Sequence, residues 1–346
     1  NFVMMINRGD IDVDRFPDCT SKTIVRGIRY AFHRDAFRDA VREVEVLIEK
    51  GYDVFVQPMV TLSYQDQEIL ELIELYQDIK PYAFYIVDSF GAMSTGDMER
   101  IFHLVDHNLP SDVPIGFHSH NNLQLAYANA RTFCSINSNR FLIVDTSTLG
   151  MGRGAGNLCT EIFADYLNKE HHSDYKILPL MEVIDNHLEA IYKKTPWGYS
   201  SSYFLSGAAD CHPNYATHFS SKKTLTVGSI FKILDQMKED EKASFNIEYA
   251  EDLYLAHQSE LNAQGNLEPC PLKKNVMVIA GGASVLDRED SLAQVYDRHE
   301  TSSVAINHLP SLPFNIDYIF FSNQKRYNEF SGQIIDQKNV ILTSNI

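Results

Sequence analysis

Short apolar runs alternate with amphipathic stretches through the first half of the chain. The runs Val3–Asn7, Ile24–Ala31, Asp53–Met59, Ala83–Asp88, Pro114–His118 and Phe141–Asp145 are rich in β-branched and aromatic residues and predict strands. Between them, Asp35–Lys50 places Ala36, Ala40, Val41, Val44, Leu47 and Ile48 at helical spacing. Gln67–Ile79 and Thr95–His107 repeat that pattern, and a fourth helix is expected over Leu123–Thr132. Such alternation predicts βα units and a parallel sheet. Phe84-Tyr-Ile-Val87 is apolar throughout, so its strand is expected to be buried on both faces, as in a barrel or a doubly wound sheet.

Polar residues collect just past the strands' C-terminal ends: Asp88-Ser89, His118-Ser-His120-Asn121 and Asp145-Thr-Ser147. A (β/α)8 barrel builds its active site on that face. Six strands are visible, so a barrel requires two more before Asn1. The chain opens without an initiator Met on Asn1-Phe-Val-Met-Met-Ile-Asn7, already strand-like, and closes on the strand-like Val340–Ile346. Both ends suggest a piece of a longer protein. From Leu178 to Met237 the pattern turns helical, and Glu239–Glu268 is acid-rich and reads as a solvated helical connector. A new apolar strand begins at Asn275, followed by Gly281-Gly-Ala-Ser284 and further runs at Ser303–Asn307 and Asp317–Phe321. The expected domains are therefore a barrel over 1–177, a helical unit over 178–238, a connector over 239–274 and a partial Rossmann-like α/β segment over 275–346.

Composition narrows the function classes. A net charge of −16 argues against nucleic-acid and anionic-membrane surfaces, which need clustered Lys and Arg. No apolar run approaches the roughly 20 residues of a membrane span. The five cysteines lack CxxC spacing, so neither a disulfide framework nor a thiolate zinc site is indicated, and a reducing, cytoplasmic setting is expected.

His118 and His120 lie two apart at the end of a strand. Residues i and i+2 of a strand point the same way, so two imidazoles leave the strand side by side, suited to adjacent positions on a metal ion. Two imidazoles are too few to hold a metal, and a carboxylate or amide must join them. Val144–Asn157 contains four glycines in seven residues, which permits tight turns and close backbone approach to a ligand. It lacks the Gly-Lys-Ser/Thr and GxGxxG patterns of phosphate loops. Other features read blandly: His171-His172 as solvated, Cys211-His212 as helix packing, and Gly281–Ser284 as a tight turn or a weak anion cradle at the next helix's N-terminus. Arg29 on its strand faces the barrel mouth or sits in an ion pair.

Gly116-Phe-His118-Ser-His120-Asn-Asn-Leu-Gln-Leu-Ala-Tyr-Ala-Asn-Ala130 and Gly150-Met-Gly-Arg-Gly-Ala-Gly-Asn157 resemble the last two strand ends of the DRE-TIM (HMGL-like) metallolyases. Tyr85–Met93 and Gly198–Tyr203 are similar to segments of the 4-hydroxy-2-oxovalerate aldolases in that superfamily. The resemblance covers roughly residues 1–235 and implies a TIM barrel with a helical C-terminal extension. It implies that His118, His120 and Asn157 ligate a divalent metal, Mn2+ first, with Mg2+ and Zn2+ compatible. Tyr203 would be the catalytic residue, with Tyr199 as substitute, and Asp88, Ser89 and Gly154 would border the substrate. The implied reaction cleaves a 4-hydroxy-2-oxo acid to pyruvate and an aldehyde through a metal-stabilised enolate. The alternatives are a Claisen-type acyl-CoA/2-oxo acid synthase or lyase and a non-catalytic binding module. The partner implied is a small 2-oxo acid, in a homo-oligomer of the kind common in the family. One departure stands out: no strand of the barrel region carries the first-strand Asp-Arg-Glu or Arg-Asp-Gly motif, which supplies an Asp ligand and an Arg.

Overall fold

The computed structural model describes residues 2–222, 224–263, 271–298, 300–334 and 340–342. The chain divides into two compact units, Asn1–Pro213 and Asn214–Ile346. In the first unit, six parallel strands pair in sequence order: β1 (Phe2–Asn7), β2 (Val25–Phe32), β3 (Asp53–Pro58), β4 (Ala83–Asp88), β5 (Ile115–Ser119) and β6 (Leu142–Val144). All six predicted strands form within a residue or two of their expected bounds. The sheet is open, with β1 and β6 as its edges, so the barrel is not closed. Helices α1 (Phe37–Glu49), α2 (Asp66–Tyr76), α3 (Thr95–Asn108), α4 (Ala126–Ser135) and α5 (Thr160–Glu170) follow successive strands from β2 onward.

Alternation along the strands sorts side chains onto two faces. Ile28, Tyr30, Phe32, Val54, Val56, Phe84, Ile86, Ile115 and Phe117 join the apolar stripes of the helices in one continuous core. Helix α1 contributes Phe37, Ala40, Val44 and Leu47, the i, i+3, i+7, i+10 set that its sequence presents. The opposite face carries Ala83, Tyr85 and Val87 with Phe55 and Ile143. Every residue of β4 is buried, as its unbroken apolar run requires. Helix α3 starts where Ser94 accepts the Asp97 amide and Asp97 returns the bond to the Ser94 amide.

Helix α4 begins three residues later than its apolar pattern suggests. Asn121–Gln124 is a turn instead: Gln124 donates to the Asn121 carbonyl (3.1 Å) with φ at 61°, and Asn121 Oδ1 accepts from the Ala126 amide (3.3 Å). Beyond α5, the segment α6 (Ile177–Val183), a π turn (Ile184–Leu188) and α7 (Glu189–Lys194) forms one helical stretch, and α8 (Ser201–Ala208) follows.

The second unit takes in most of α9 (Pro213–Ser221), then α10 (Val227–Asp235), α11 (Glu239–Lys242) and α12 (Ile247–Ala263). Tyr215, Phe219, Ile233 and Leu234 are buried there, and so are Ala250 and His257 on α12. The part of the expected connector at 264–270 lies outside the described residues. A four-stranded parallel sheet follows, with β7 (Asn275–Ile279), β8 (Thr301–Ile306), β9 (Tyr318–Phe321) and β10 (Val340–Leu342) in sequence order and helices α13 (Glu289–Arg298) and α14 (Gln324–Phe330) between them. The expected strand at the chain's end is described only as β10; residues 343–346 lie outside the described set.

Candidate active site

The inner face of the six-stranded sheet carries polar side chains toward its C-terminal edge. Register explains how they meet. Tyr85 of β4 pairs with Gly116 of β5, and Val87 pairs with His118. A Cβ on Gly116 would press on Cε2, Cζ and Cδ2 of the Tyr85 ring, closer than real Cβ atoms come, so only glycine lets that ring lie across β5. Laid there, Tyr85 donates from its hydroxyl to Asp145 Oδ1 at 3.2 Å. Asp145, one residue past β6, takes Arg29 of β2 on its other oxygen, and His118 Nδ1 lies 2.9 Å from that same Oδ2. Arg29 also donates to Gln57 Oε1 of β3 (3.2 Å) and sits with its guanidinium 5.6 Å from the Tyr85 ring centre. Five successive strands thus contribute to one network. Burial beside the Asp145 charge raises the Tyr85 phenol pKa, keeping it a proton donor.

His118 and His120 emerge on the same face, as the two-residue spacing requires, with ring centres 5.3 Å apart. His120 is held from both sides. Its amide donates to the Asp88 carbonyl (3.1 Å), and it bridges to Asn157 across the chain. Its ring hydrogen-bonds the main chain of Arg153, while burial, His118 and Arg153 hold its pKa down to about 3. The imidazole is therefore neutral at ordinary pH, the form that binds metals.

Asn157 closes the glycine loop back onto the strand end. Its amide donates to the Gly150 carbonyl, and the Asn121 amide donates to the Gly156 carbonyl, both at 3.0 Å. The side chain donates from Nδ2 to the Met151 carbonyl (2.9 Å), which leaves Oδ1 buried with no hydrogen-bond partner. Gly154 takes φ of 67°, where L side chains are strained, and the Tyr203 ring lies 3.4 Å from where its Cβ would be. Two further bonds tie the Trp197–Tyr203 segment to this loop: Trp197 Nε1 to the Leu149 carbonyl (2.8 Å) and the Gly198 amide to the Gly154 carbonyl (3.1 Å). Asn122 Nδ2 donates to the Tyr203 carbonyl at 3.1 Å. A cavity of about 600 Å3 opens beside Asn157, with Leu149, Tyr192, Trp197 and Tyr199 among its walls.

Asp88 and Ser89 sit at the end of β4 in different surroundings. Asp88 is 3% exposed, and its carboxylate accepts the amides of Ala92 (3.0 Å) and Met93 (3.3 Å). Burial pushes its pKa up to about 7 against those two bonds. Ser89 Oγ accepts the Val60 amide at 2.8 Å. The structure thus gathers His118, His120, Asn157, Gly154 and Tyr203 around the β5 and β6 ends, while the Asp88 and Ser89 side chains pin neighbouring loops. Tyr85 and Gln57 carried no expected role, and Asp145 was expected only as one of the polar residues at the strand ends. Arg29 combines both of its expected placements, an ion pair on the face that bears the histidines.

Two oriented imidazoles and an unpaired amide oxygen form a donor set that suits a divalent cation. Among the described residues, no third His, Cys, Asp or Glu joins His118 and His120 in a metal-holding group.

Residues 19–186 match the HMGL-like family model. The chain is 30% identical over 161 residues to the 4-hydroxy-2-oxovalerate aldolase of Carboxydothermus hydrogenoformans, covering 45% of this chain and 46% of that protein. To the 4-hydroxy-2-oxovalerate aldolase of Shewanella halifaxensis it is 27% identical over 163 residues, 47% of each chain. The chain spans about half the length of the curated relatives it matches. Among solved structures, the N-terminal domain of a candidate aldolase from Bacteroides vulgatus superposes with a TM-score of 0.56 and 25% identity, over 66% of this chain and 75% of that one. The carboxyl transferase domain of Rhizobium etli pyruvate carboxylase shares the fold, with a TM-score of 0.52 and 12% identity, over 71% of this chain and 45% of that domain.

Proposed function

We propose that the HMGL-like domain of residues 19–186 is the core of a carbon–carbon lyase that cleaves a 4-hydroxy-2-oxo acid to pyruvate and an aldehyde. Supporting this are the matched relatives named 4-hydroxy-2-oxovalerate aldolase, and above all one observation: the unpaired, buried Oδ1 of Asn157, a residue whose backbone bridges to His120. In this reading His118, His120 and Asn157 hold a divalent cation, Mn2+ first. Its carboxylate ligand comes from outside the described cluster. A bound divalent cation supplies Lewis-acid stabilisation of the charge that develops on the substrate, worth several kcal/mol.

The chain's own residues bind and orient. Tyr203, stacked on Gly154, places its phenol to position the departing aldehyde and to pass a proton to or from its oxygen. Gly154 borders the same wall, where its left-handed φ, rather than lack of room beside the Tyr203 ring, disfavours a side chain. Asp88 and Ser89 act at the same rim by fixing the turn at residues 89–93 and the Val60 loop. Neutral His120 needs no proton release to act as a donor. The free thiols of Cys19, Cys134, Cys159 and Cys211 support a reducing, cytoplasmic setting.

The test supplies the protein with Mn2+ and 4-hydroxy-2-oxovalerate and follows pyruvate through a lactate-dehydrogenase couple. Pyruvate release without any CoA ester, lost in His118→Ala, is the expected result. Release that requires an acyl-CoA assigns the Claisen chemistry instead. No pyruvate with Mn2+, Mg2+ or Zn2+ overturns the lyase reading.

A further inference from the structure

We propose that Asp145 is a positioning residue that fixes the tautomer of His118. Its carboxylate accepts the Nδ1 proton and thereby leaves the Nε2 lone pair as the ring's donor. The inference rests on the reading that His118 ligates a cation and adds the group that prepares it.

The argument is one of donors and acceptors. His118 Nδ1 faces two groups, Asp145 Oδ2 at 2.9 Å and Arg29 Nη2 at 3.3 Å. A guanidinium only donates and an ionised carboxylate only accepts. If Nδ1 carried the lone pair, it would meet the nearer carboxylate oxygen lone pair to lone pair. If Nδ1 carries the proton, it donates to Oδ2, and Arg29 donates to that oxygen as well. The second arrangement gives both donors one shared acceptor and avoids the lone-pair clash, while Arg29 Nε is without a partner in either case. Tyr85 supplies a third donor to the carboxylate through Oδ1, at 3.2 Å.

The network is also sheltered and anchored. Side-chain exposure is 23% for Arg29, 21% for His118 and 18% for Asp145, so water competes poorly for these bonds. Gln57 Oε1 takes a further Arg29 proton at 3.2 Å, holding the guanidinium in register on the inner face. Asp145 therefore cannot swing to solvent without stranding Arg29, Tyr85 and His118 together. Carboxylates behind a ligating imidazole orient the ring and raise its basicity, and losing one typically costs 10–100-fold in metal affinity.

The test reads the tautomer directly, without metal or substrate. In 15N–1H correlation spectra of the imidazoles at alkaline pH, wild-type His118 shows the Nδ1–H pattern. Asp145→Ala removes the acceptor but leaves Arg29, whose Nη2 then donates to a deprotonated Nδ1, so the ring switches to Nε2–H. Arg29→Met keeps the Asp145 acceptor and keeps Nδ1–H. Mn2+ affinity, followed by the paramagnetic resonance of free Mn2+, falls by about 10–100-fold in Asp145→Ala. An Nε2–H pattern in the wild type, a switch in Arg29→Met, or Nδ1–H retained in Asp145→Ala overturns the proposal. Should Asp145→Ala fail to fold, the wild-type and Arg29→Met spectra still decide. A protein with the expected tautomer that releases no pyruvate counts against the lyase reading alone.

Discussion

Replacing Gly116 with Ala adds one methyl group at the most crowded point of the inner face. Gly116 has ordinary strand geometry with φ outside the left-handed region, so alanine carries no backbone penalty there and any loss is steric. The new Cβ would clash with Cε2, Cζ and Cδ2 along one edge of the Tyr85 ring. Tyr85 is 2% exposed, packed on Phe55 with ring centres 6.3 Å apart and overlaid by Arg29, so the ring has no free space to enter. Overpacking of this kind costs about 1–3 kcal/mol. Moving the ring also stretches its hydroxyl from Asp145, and a hydrogen bond to a charged acceptor contributes about 1.5–3 kcal/mol. A loss of roughly 3 kcal/mol in the first unit lowers its melting temperature by about 6–12 °C, taking 2–4 °C per kcal/mol for a unit of this size. Near-ultraviolet circular dichroism of wild type, Gly116→Ala, Tyr85→Leu and the double variant gives the cycle. The double variant should be more stable than the sum of the single losses by about 1 kcal/mol or more, because the smaller side chain leaves room for the methyl. A Gly116→Ala protein that melts within about 1 °C of wild type, or strictly additive losses, refutes the steric account.

Arg140 predicts a larger effect by another route. Its side chain is 5% exposed and serves Asp106 Oδ1 (2.6 Å), the Asp106 carbonyl (2.7 Å), the Val113 carbonyl (2.9 Å) and the carbonyls of Leu109 and Pro110. Arg140→Ala leaves the half-buried Asp106 carboxylate to Ser138 Oγ alone and removes the donor from four carbonyls around the end of α3, so denaturant melts should show a loss of about 3–5 kcal/mol, and Arg140→Lys should recover little because an ammonium lacks the fork. For Asp88, the isosteric Asp88→Asn keeps an acceptor for Ala92 and Met93 and should stay near wild-type stability, whereas Asp88→Ala should lose about 2 kcal/mol in the same melts. Burial pushes the Cys134 thiol up to about 11, which leaves it protonated at neutral pH. Its alkylation by iodoacetamide, followed by peptide mass spectrometry, should rise about tenfold per pH unit up to that value, and fast labelling at neutral pH would contradict it.

The helix-covered face was legible because burial leaves a periodic trace. Of the residues read from spacing, Ala40, Val44 and Leu47 are buried by α1, while Phe37, which the helix also buries, was not among them. The histidine pair was legible for the same reason, since a spacing of two on a strand fixes a shared face before any neighbour is known. The start of α4 was not, because the turn there depends on the Asn121 side chain reaching the Ala126 amide. An apolar pattern carries no mark of such a bond.

The network behind His118 escaped for a different reason, and Arg29 shows what signal existed. In Val25-Arg-Gly-Ile-Arg-Tyr-Ala-Phe32, a cation stands between two residues that are wholly buried on the opposite face, Ile28 and Tyr30. A charge at an inward position of a parallel strand is costly unless an opposite charge meets it. That argument requires an acidic partner on the same face and near the C-terminal edge, and the strand-end Asp145 meets both conditions. What it cannot supply is which strands lie side by side, because Arg29 and Asp145 are 116 residues apart in sequence. The pairing becomes unique only when β2 through β6 lie in order and the bare Gly116 lets Tyr85 reach across. Alternation assigns each residue a face. The assembled sheet is what turns a charge on that face into a particular neighbour, and with it the proton position on His118.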